Sequence, residues 1–313
     1  MTALCGLAFS NCASKGDGLD TTSPTAFLAS AGKGDADAVD RFLKAGMSPD
    51  THDENGDTPL IAAAAAGETG TVQLLLSKGA NPNLAKPKDG WSPLLAAAQG
   101  GHTSVIKELV AKGADVNAST PDQFTPLMAA AKGGHEESLR LLIDSKASVS
   151  STNKDGWSAL IAAAESNKPG VVEALLAAGA DAKASMADGW TPLMAASKVG
   201  NVAAVQALIA AGADVNAKNK DGWTALMAAP EGGSADVAKT LVMHKADVNA
   251  ASKDGWTPLM GAADKGRAAI AVLLIDKGAK VTAANHEKMT ALTYAEKGQH
   301  NDIVALLKKS GAK

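Results

Sequence analysis

The sequence predicts an all-α repeat solenoid, an array of helix-turn-helix units joined by β-hairpin turns. Three observations predict it. A Thr or Ser recurs at Thr25, Thr58, Ser92, Thr125, Ser158, Thr191, Thr224, Thr257 and Thr290, in steps of 33, then 34, then 33 six times. All five tryptophans (Trp91, Trp157, Trp190, Trp223 and Trp256) stand immediately before that Thr or Ser, and Phe124 takes the slot in the one intervening unit without a Trp. Chance placement of the tryptophans in one phase of such a period has odds on the order of one in a million. The third observation is composition: 46% of residues are hydrophobic but only 3% aromatic, so the core is built from Ala, Leu, Val, Ile and Met.

Each unit repeats one grammar. Thr-Pro-Leu, as in Thr257-Pro258-Leu259, starts a helix: the hydroxyl caps free backbone N–H groups and Pro suits the first helical position. An Ala pair follows, such as Ala97-Ala98 or Ala130-Ala131, small enough for neighbouring helices to approach closely. A Gly near Gly101, Gly134 or Gly200 ends this first helix. A second helix carries apolar residues at helical spacing, for example Val105, Ile106, Leu109 and Val110, and closes at Gly-Ala, as at Gly113-Ala114 and Gly212-Ala213. Asp214–Ala217 then leads to the turn Lys220-Asp221-Gly222, and the next Trp restarts the cycle.

These motifs resemble the ankyrin-repeat family, whose pattern G-x-TPL-x-x-AA-x-x-G…LL-x-x-GAD-x-N recurs here in nine units over residues 21–313. The resemblance implies a solenoid held together by contacts between neighbouring units. The more polar first unit (Thr25-Ala26-Phe27-Leu28) and last unit (Tyr294 to Lys309) are expected to act as solubilising caps. Departures are informative. Where the family usually has His after TPL, this chain has Ile61, Leu95, Met128, Ile161, Met194, Met227 and Met260, which predicts apolar packing in place of hydrogen bonding between units. Pro230 is expected to shorten the first helix of the seventh unit. The 34-residue step lengthens one hairpin tip around Ala85–Lys88, and Lys168-Pro169-Gly170 replaces the usual Gly-His between helices in the fifth unit.

Charge excludes two classes of function. With 30 Lys+Arg against 33 Asp+Glu and a net charge of −3, the chain lacks the basic excess of a nucleic-acid or membrane-surface binder. No apolar run approaches the roughly 18 residues of a membrane span. Two cysteines exclude a disulfide scaffold and a zinc-ribbon framework. Of the six histidines, His102, His135 and His300 occupy the Gly-His slot at the start of second helices, a structural position, and none clusters with acids at metal-ligand spacing. Gly232-Gly233 lacks the Lys-Ser/Thr of a phosphate-binding loop. The reading is therefore an enzyme-free chain with neither metal nor cofactor.

Residues 1–20 read as a tail. Ala3 to Phe9 is small and apolar, Ala8-Phe9-Ser10 offers a cleavage site before Asn11, and Cys5 and Cys12 lie in the same stretch. No charged residue precedes Lys15, so two readings stay open: the remnant of an export signal, with a lipid-modified Cys12 as its weaker variant, or a plain tail.

The candidate site is the aromatic row: Trp91, Phe124, Trp157, Trp190, Trp223 and Trp256. In ankyrin proteins the slot before TPL lies at the hairpin base, facing the concave groove, and is commonly used for partner contact. Aromatic rows of this kind mark interaction surfaces, while the alternative is that each indole braces its neighbour's hairpin. Asp89, Asp155, Asp188, Asp221 and Asp254 at the tips join the row as candidate partner contacts, although Lys88, Lys154, Lys220 and Lys253 partly neutralise them and turn formation alone accounts for Asp there. The expected partner is a protein held in the groove, with the chain monomeric by itself. Exported bacterial ankyrin proteins include ones that bind and silence cell-envelope enzymes. That resemblance implies an inhibitor or immunity protein for a periplasmic enzyme, such as a peptidoglycan hydrolase. The alternatives are a cytoplasmic adaptor joining two proteins, or a secreted effector.

Overall fold

A computed structural model describes residues 20–312. The cysteines and the cleavage motif of the N-terminal stretch lie outside the described residues. Eighteen helices follow one another in nine pairs. The pairs are α1 (Pro24–Gly32) with α2 (Ala36–Lys44), α3 (Pro59–Ala66) with α4 (Thr69–Ser77), and α5 (Pro93–Gly100) with α6 (Thr103–Ala111). Next come α7 (Pro126–Gly133) with α8 (Glu136–Asp144), α9 (Ala159–Glu165) with α10 (Pro169–Ala177), and α11 (Pro192–Val199) with α12 (Val202–Ala210). The last three are α13 (Ala225–Gly232) with α14 (Ala235–Met243), α15 (Pro258–Asp264) with α16 (Ala268–Asp276), and α17 (Ala291–Lys297) with α18 (Asn301–Lys309). First helices pack chiefly on neighbouring first helices and their own partners, and second helices form a parallel row behind them.

The expected caps set the helix starts. Thr58, Ser92, Thr125, Ser158, Thr191, Thr224, Thr257 and Thr290 each accept a hydrogen bond from the amide three residues on. The first unit differs. Its cap is Ser23, which accepts from the Ala26 amide, so α1 starts before Thr25. Gly101, Gly134 and Gly200 close their helices with φ of 69°, 70° and 77°, a region open to Gly without strain.

Leu and Ala fill the space between the rows. Ala97, Ala98, Ala130 and Ala131 have no exposed surface, and the residues after TPL, from Ile61 to Met260, are all buried. Each buried Leu or Met removes enough apolar surface from water to contribute about 1.5–3 kcal/mol. The Met stripe is therefore core, as its spacing predicts.

Pro230 does not shorten its helix: α13 runs eight residues through it. The ring costs one amide donor, yet it is buried, and its surroundings are fitted to it. The slot facing it in α15 holds Gly261, where an added Cβ would lie 3.4 Å from the ring. Arg267 donates through Nε to the Pro230 carbonyl at 3.1 Å and holds the end of α13. Beside it, Gly232 lies so close to the preceding unit that a Cβ there would stand 2.5 Å from the Gly200 nitrogen.

The hairpins remain turns. Among the described residues there are isolated bridges, Thr152 with Ser158 and Ala284 with Thr290, but no extended strand. A single closing bond, such as Asn153 N to the Trp157 carbonyl at 2.9 Å or Asn219 N to the Trp223 carbonyl at 3.0 Å, defines each tip. The lengthened tip closes from Lys86 N to the Trp91 carbonyl at 3.0 Å, and Lys86 Nζ pairs with Asp57 at 2.8 Å.

Polar contacts lock unit to unit at three levels. At the hairpin tips, amides of one unit donate to the preceding Asp carbonyl: Ala187 to Asp155 and Lys220 to Asp188 at 2.7 Å, Lys253 to Asp221 at 2.8 Å. Behind the helices, Asn83, Asn117, Asn216 and Asn249 each bridge to the next unit. Asn249, for example, donates to the Gly278 carbonyl at 3.0 Å and accepts from the Lys280 amide at 2.8 Å. Between the helices of each pair, His102, His135 and His300 donate to the Ala65, Gln99 and Asp264 carbonyls at the end of the preceding first helix, at 3.0, 2.9 and 3.1 Å. This satisfies acceptors that the helix itself leaves open.

Candidate binding groove

The hairpin bases and the C-terminal ends of the first helices bound a groove, and the aromatic row forms its hairpin-side wall. Its position follows from local chemistry. The Trp amide is tied inside the hairpin, by Asp89 Oδ1 for Trp91 at 3.0 Å, by Asp188 Oδ1 for Trp190 at 2.9 Å, and by the Asn153 and Asn219 side chains for Trp157 and Trp223 at 2.8 Å. The pinned backbone sets where each ring leaves the hairpin, one residue before a helix cap.

All six predicted aromatics are half-buried. They form two stacks and one outlier. Trp91, Phe124 and Trp157 stack with centroids 6.1 and 5.8 Å apart and planes within 17°. Trp223 and Trp256 stack at 6.4 Å, and Tyr294 closes that stack edge-on at 4.7 Å. Trp190 joins neither. Its ring lies 5.8 Å from the Lys198 ammonium. Bracing and exposure thus coexist in five positions, and Trp190 is without a ring neighbour. The indole N–H groups are used unevenly: Trp157 donates to Glu165 Oε2 at 3.2 Å, whereas Trp256 Nε1 is buried with no hydrogen-bond partner.

The tip aspartates Asp89, Asp155, Asp188, Asp221 and Asp254 are all exposed. Asp89 and Asp188 spend a carboxylate oxygen on the hairpin, and Asp155, Asp188, Asp221 and Asp254 spend the main-chain carbonyl on the next tip. Of the predicted lysine neighbours, Lys154 pairs with Asp122 at 3.3 Å.

Several stretches of the groove open into hollows. One of about 670 Å³ lies along Trp91, Phe124, Gln99 and Lys132, and one of about 350 Å³ along Trp190, Trp223, Lys198 and Glu231. The helix-side residues Gln99, Lys132, Lys198 and Glu231 were not among the predicted contacts, although one signal marks them: each stands seven residues after its cap. Tyr294 was also missed, because it enters the row from a helix and not from the slot before the cap, which holds Met289 in the last unit. Burial pushes the Tyr294 hydroxyl above its ordinary pKa, while the hydrogen bond it accepts from Asn285 at 3.0 Å works the other way.

Among the described residues no three His, Cys, Asp or Glu side chains converge as a metal would require, and no helix is long and apolar enough to cross a membrane. The groove offers what a binding surface needs: aromatic area, fixed by hairpins, with charges on either side.

Comparison with known proteins agrees with the repeat grammar. A family model described as ankyrin repeats (three copies) matches residues 26–120, 95–186, 178–252 and 246–313. An ankyrin repeat-containing protein of Schizosaccharomyces pombe is 37% identical over 72 residues, which are 23% of this chain and 34% of that protein. The chain thus matches about a third of the length of that curated relative. The crystal structure of the human ASB11 ankyrin repeat domain superposes with a TM-score of 0.65 at 25% identity, over 72% of this chain and 99% of that one.

Proposed function

The chain belongs to the ankyrin-repeat family, and on that premise we propose that it is a non-enzymatic scaffold that holds a protein partner in the groove lined by its aromatic row. Ankyrin repeats mediate protein–protein binding, and no catalytic family is indicated. The observation that carries the reading is the row itself: half-buried rings in register along one wall, beside hollows large enough for partner side chains. Trp is the commonest hot-spot residue, and a ring already fixed by its neighbours loses little freedom on binding. We propose further that the protein is exported and monomeric by itself. In this reading it silences a cell-envelope enzyme, such as a peptidoglycan hydrolase, by occupying its surface.

Two experiments test this in order. Affinity capture from the native host identifies the partner, and its affinity is then measured for Ala variants of the aromatic row. Uneven losses, with one or two positions costing at least about 2 kcal/mol, are expected, and unchanged affinity at every position overturns the groove. Mass spectrometry of the mature N-terminus tests export. Cleavage before Asn11 is expected, and an intact Met1 moves the reading to a cytoplasmic adaptor. Inhibition, where found, is stoichiometric and insensitive to EDTA.

A further inference from the structure

Three kinds of side-chain contact recur across the junctions of the array: the Asn bridge, the His or Arg cap and the aromatic stack. The junction between units three and four has all of them, in Asn117, His135 and the Trp91–Phe124 pair. The junction between units seven and eight has them too, in Asn249, Arg267 and the Trp223–Trp256 pair. Between units five and six, all three are missing. Lys183 stands in the Asn slot, Asn201 stands in the His slot and turns to cap its own helix at the Ala204 amide, and Trp157 and Trp190 do not stack. Among the described residues, one hydrogen bond crosses this junction, from the Ala187 amide to the Asp155 carbonyl at 2.7 Å. Unit six also carries two buried polar atoms without partners, Ser197 Oγ and Asn201 Nδ2. Each such atom costs stability where it lies.

We propose that this junction is a hinge built into the array, about which residues 20–184 and 185–312 move as two blocks. Apolar packing of α9 on α11 and of α10 on α12 holds the blocks together, and nothing directional fixes their angle except the Ala187 bond. The hinge divides the groove between two like positions. Phe124, Lys132 and Trp157 line a hollow that Met186 of the next hairpin borders across the hinge, and Trp190, Lys198 and Trp223, each 66 residues further on, line its counterpart wholly on the other block. If the groove binds as proposed above, a partner that touches both positions meets an adjustable spacing.

Amide exchange on the full chain reads the hinge directly. The amides of Ala187, Lys220, Lys253 and His286 each donate across a different junction. The protection factor of Ala187 is expected to be at least about tenfold lower than those of Lys253 and His286. The paired substitutions Lys183→Asn and Asn201→His install the missing bridge and cap. They are expected to raise Ala187 protection at least about tenfold and leave Lys253 unchanged. In calorimetry the parent chain is expected to unfold in two steps, which merge towards one in the double variant. Equal protection of Ala187, Lys253 and His286 in the parent chain overturns the hinge, as does a folded double variant in which Ala187 is unaffected. Should the double variant fail to fold, the parent protection ratio decides. No partner enters these measurements, so failure of the groove reading and failure of the hinge are separate results.

Discussion

The junction between units three and four and the junction between units five and six bury the same kinds of apolar helix face. They differ in three side-chain slots of a 33-residue period. In one, Asn117 and His135 tie the next unit on and Trp91 stacks on Phe124; in the other, Lys183, Asn201 and Trp190 leave those positions open. Apolar packing decides that neighbouring units associate, because it is non-directional and scales with area. The polar and aromatic contacts decide how rigidly they do so. In a one-dimensional array each junction contributes separately, so three substitutions can soften one place without weakening the rest.

Five measurements would break or sharpen this contrast. The largest effect is expected for Phe124→Ala, which removes both contacts of a three-ring stack. Thermal unfolding should show a loss of about 2–3 kcal/mol, against about 1 kcal/mol for Trp190→Ala, which has no stacked neighbour. Equal losses would mean that the stacks are incidental. Partner affinity should reverse the order, with Trp190 the more costly. Next, Asn117→Ala should cost about 1–2 kcal/mol in urea denaturation by removing bonds to the Ser148 amide and the Lys146 carbonyl, while Ser150→Asn, filling the vacant slot one unit on, should gain about 1 kcal/mol. Pro230→Ala should then gain about 1 kcal/mol from one restored helix bond, less than the cost of a proline in an unadapted helix. A gain above about 3 kcal/mol would show that Gly261 and Arg267 do not accommodate the ring. The smallest effect is expected for Lys154→Ala, which loses only the exposed pair with Asp122: below about 0.5 kcal/mol, and nearer zero at high salt.

Much of the array is legible in the sequence because one period carries it. The caps from Thr58 to Thr290, the glycine closures and the buried methionines are each set within a unit or by a like neighbour. What the period hides is the relation between unlike neighbours. Pro230 reads as a broken helix until Gly261 is seen across from it. Ser23 replaces Thr25 as a cap because the proline suited to the first helical position, Pro24, here follows Ser23. Trp190 looks equivalent to the other tryptophans, yet stacking depends on ring orientation in two adjacent hairpins. Tyr294 enters the row from a helix position that periodicity assigns elsewhere. The groove's location was readable; which rings are free in it was not.

The near-contact of Gly232 with Gly200 has a consequence for the history of the chain. Units that read as copies are not interchangeable parts. Where the seventh unit brings Gly232 against its predecessor, the sixth carries Val199, and the added Cβ alone would meet the Gly200 nitrogen at 2.5 Å. Exchanging the two units would set Val199 where Gly232 now fits and leave Pro230 facing Ala195, both at the one new junction between them. Their order is therefore written into the molecule. Shuffling or deletion by whole units, harmless to an ideal array, would here be filtered by which neighbours it creates.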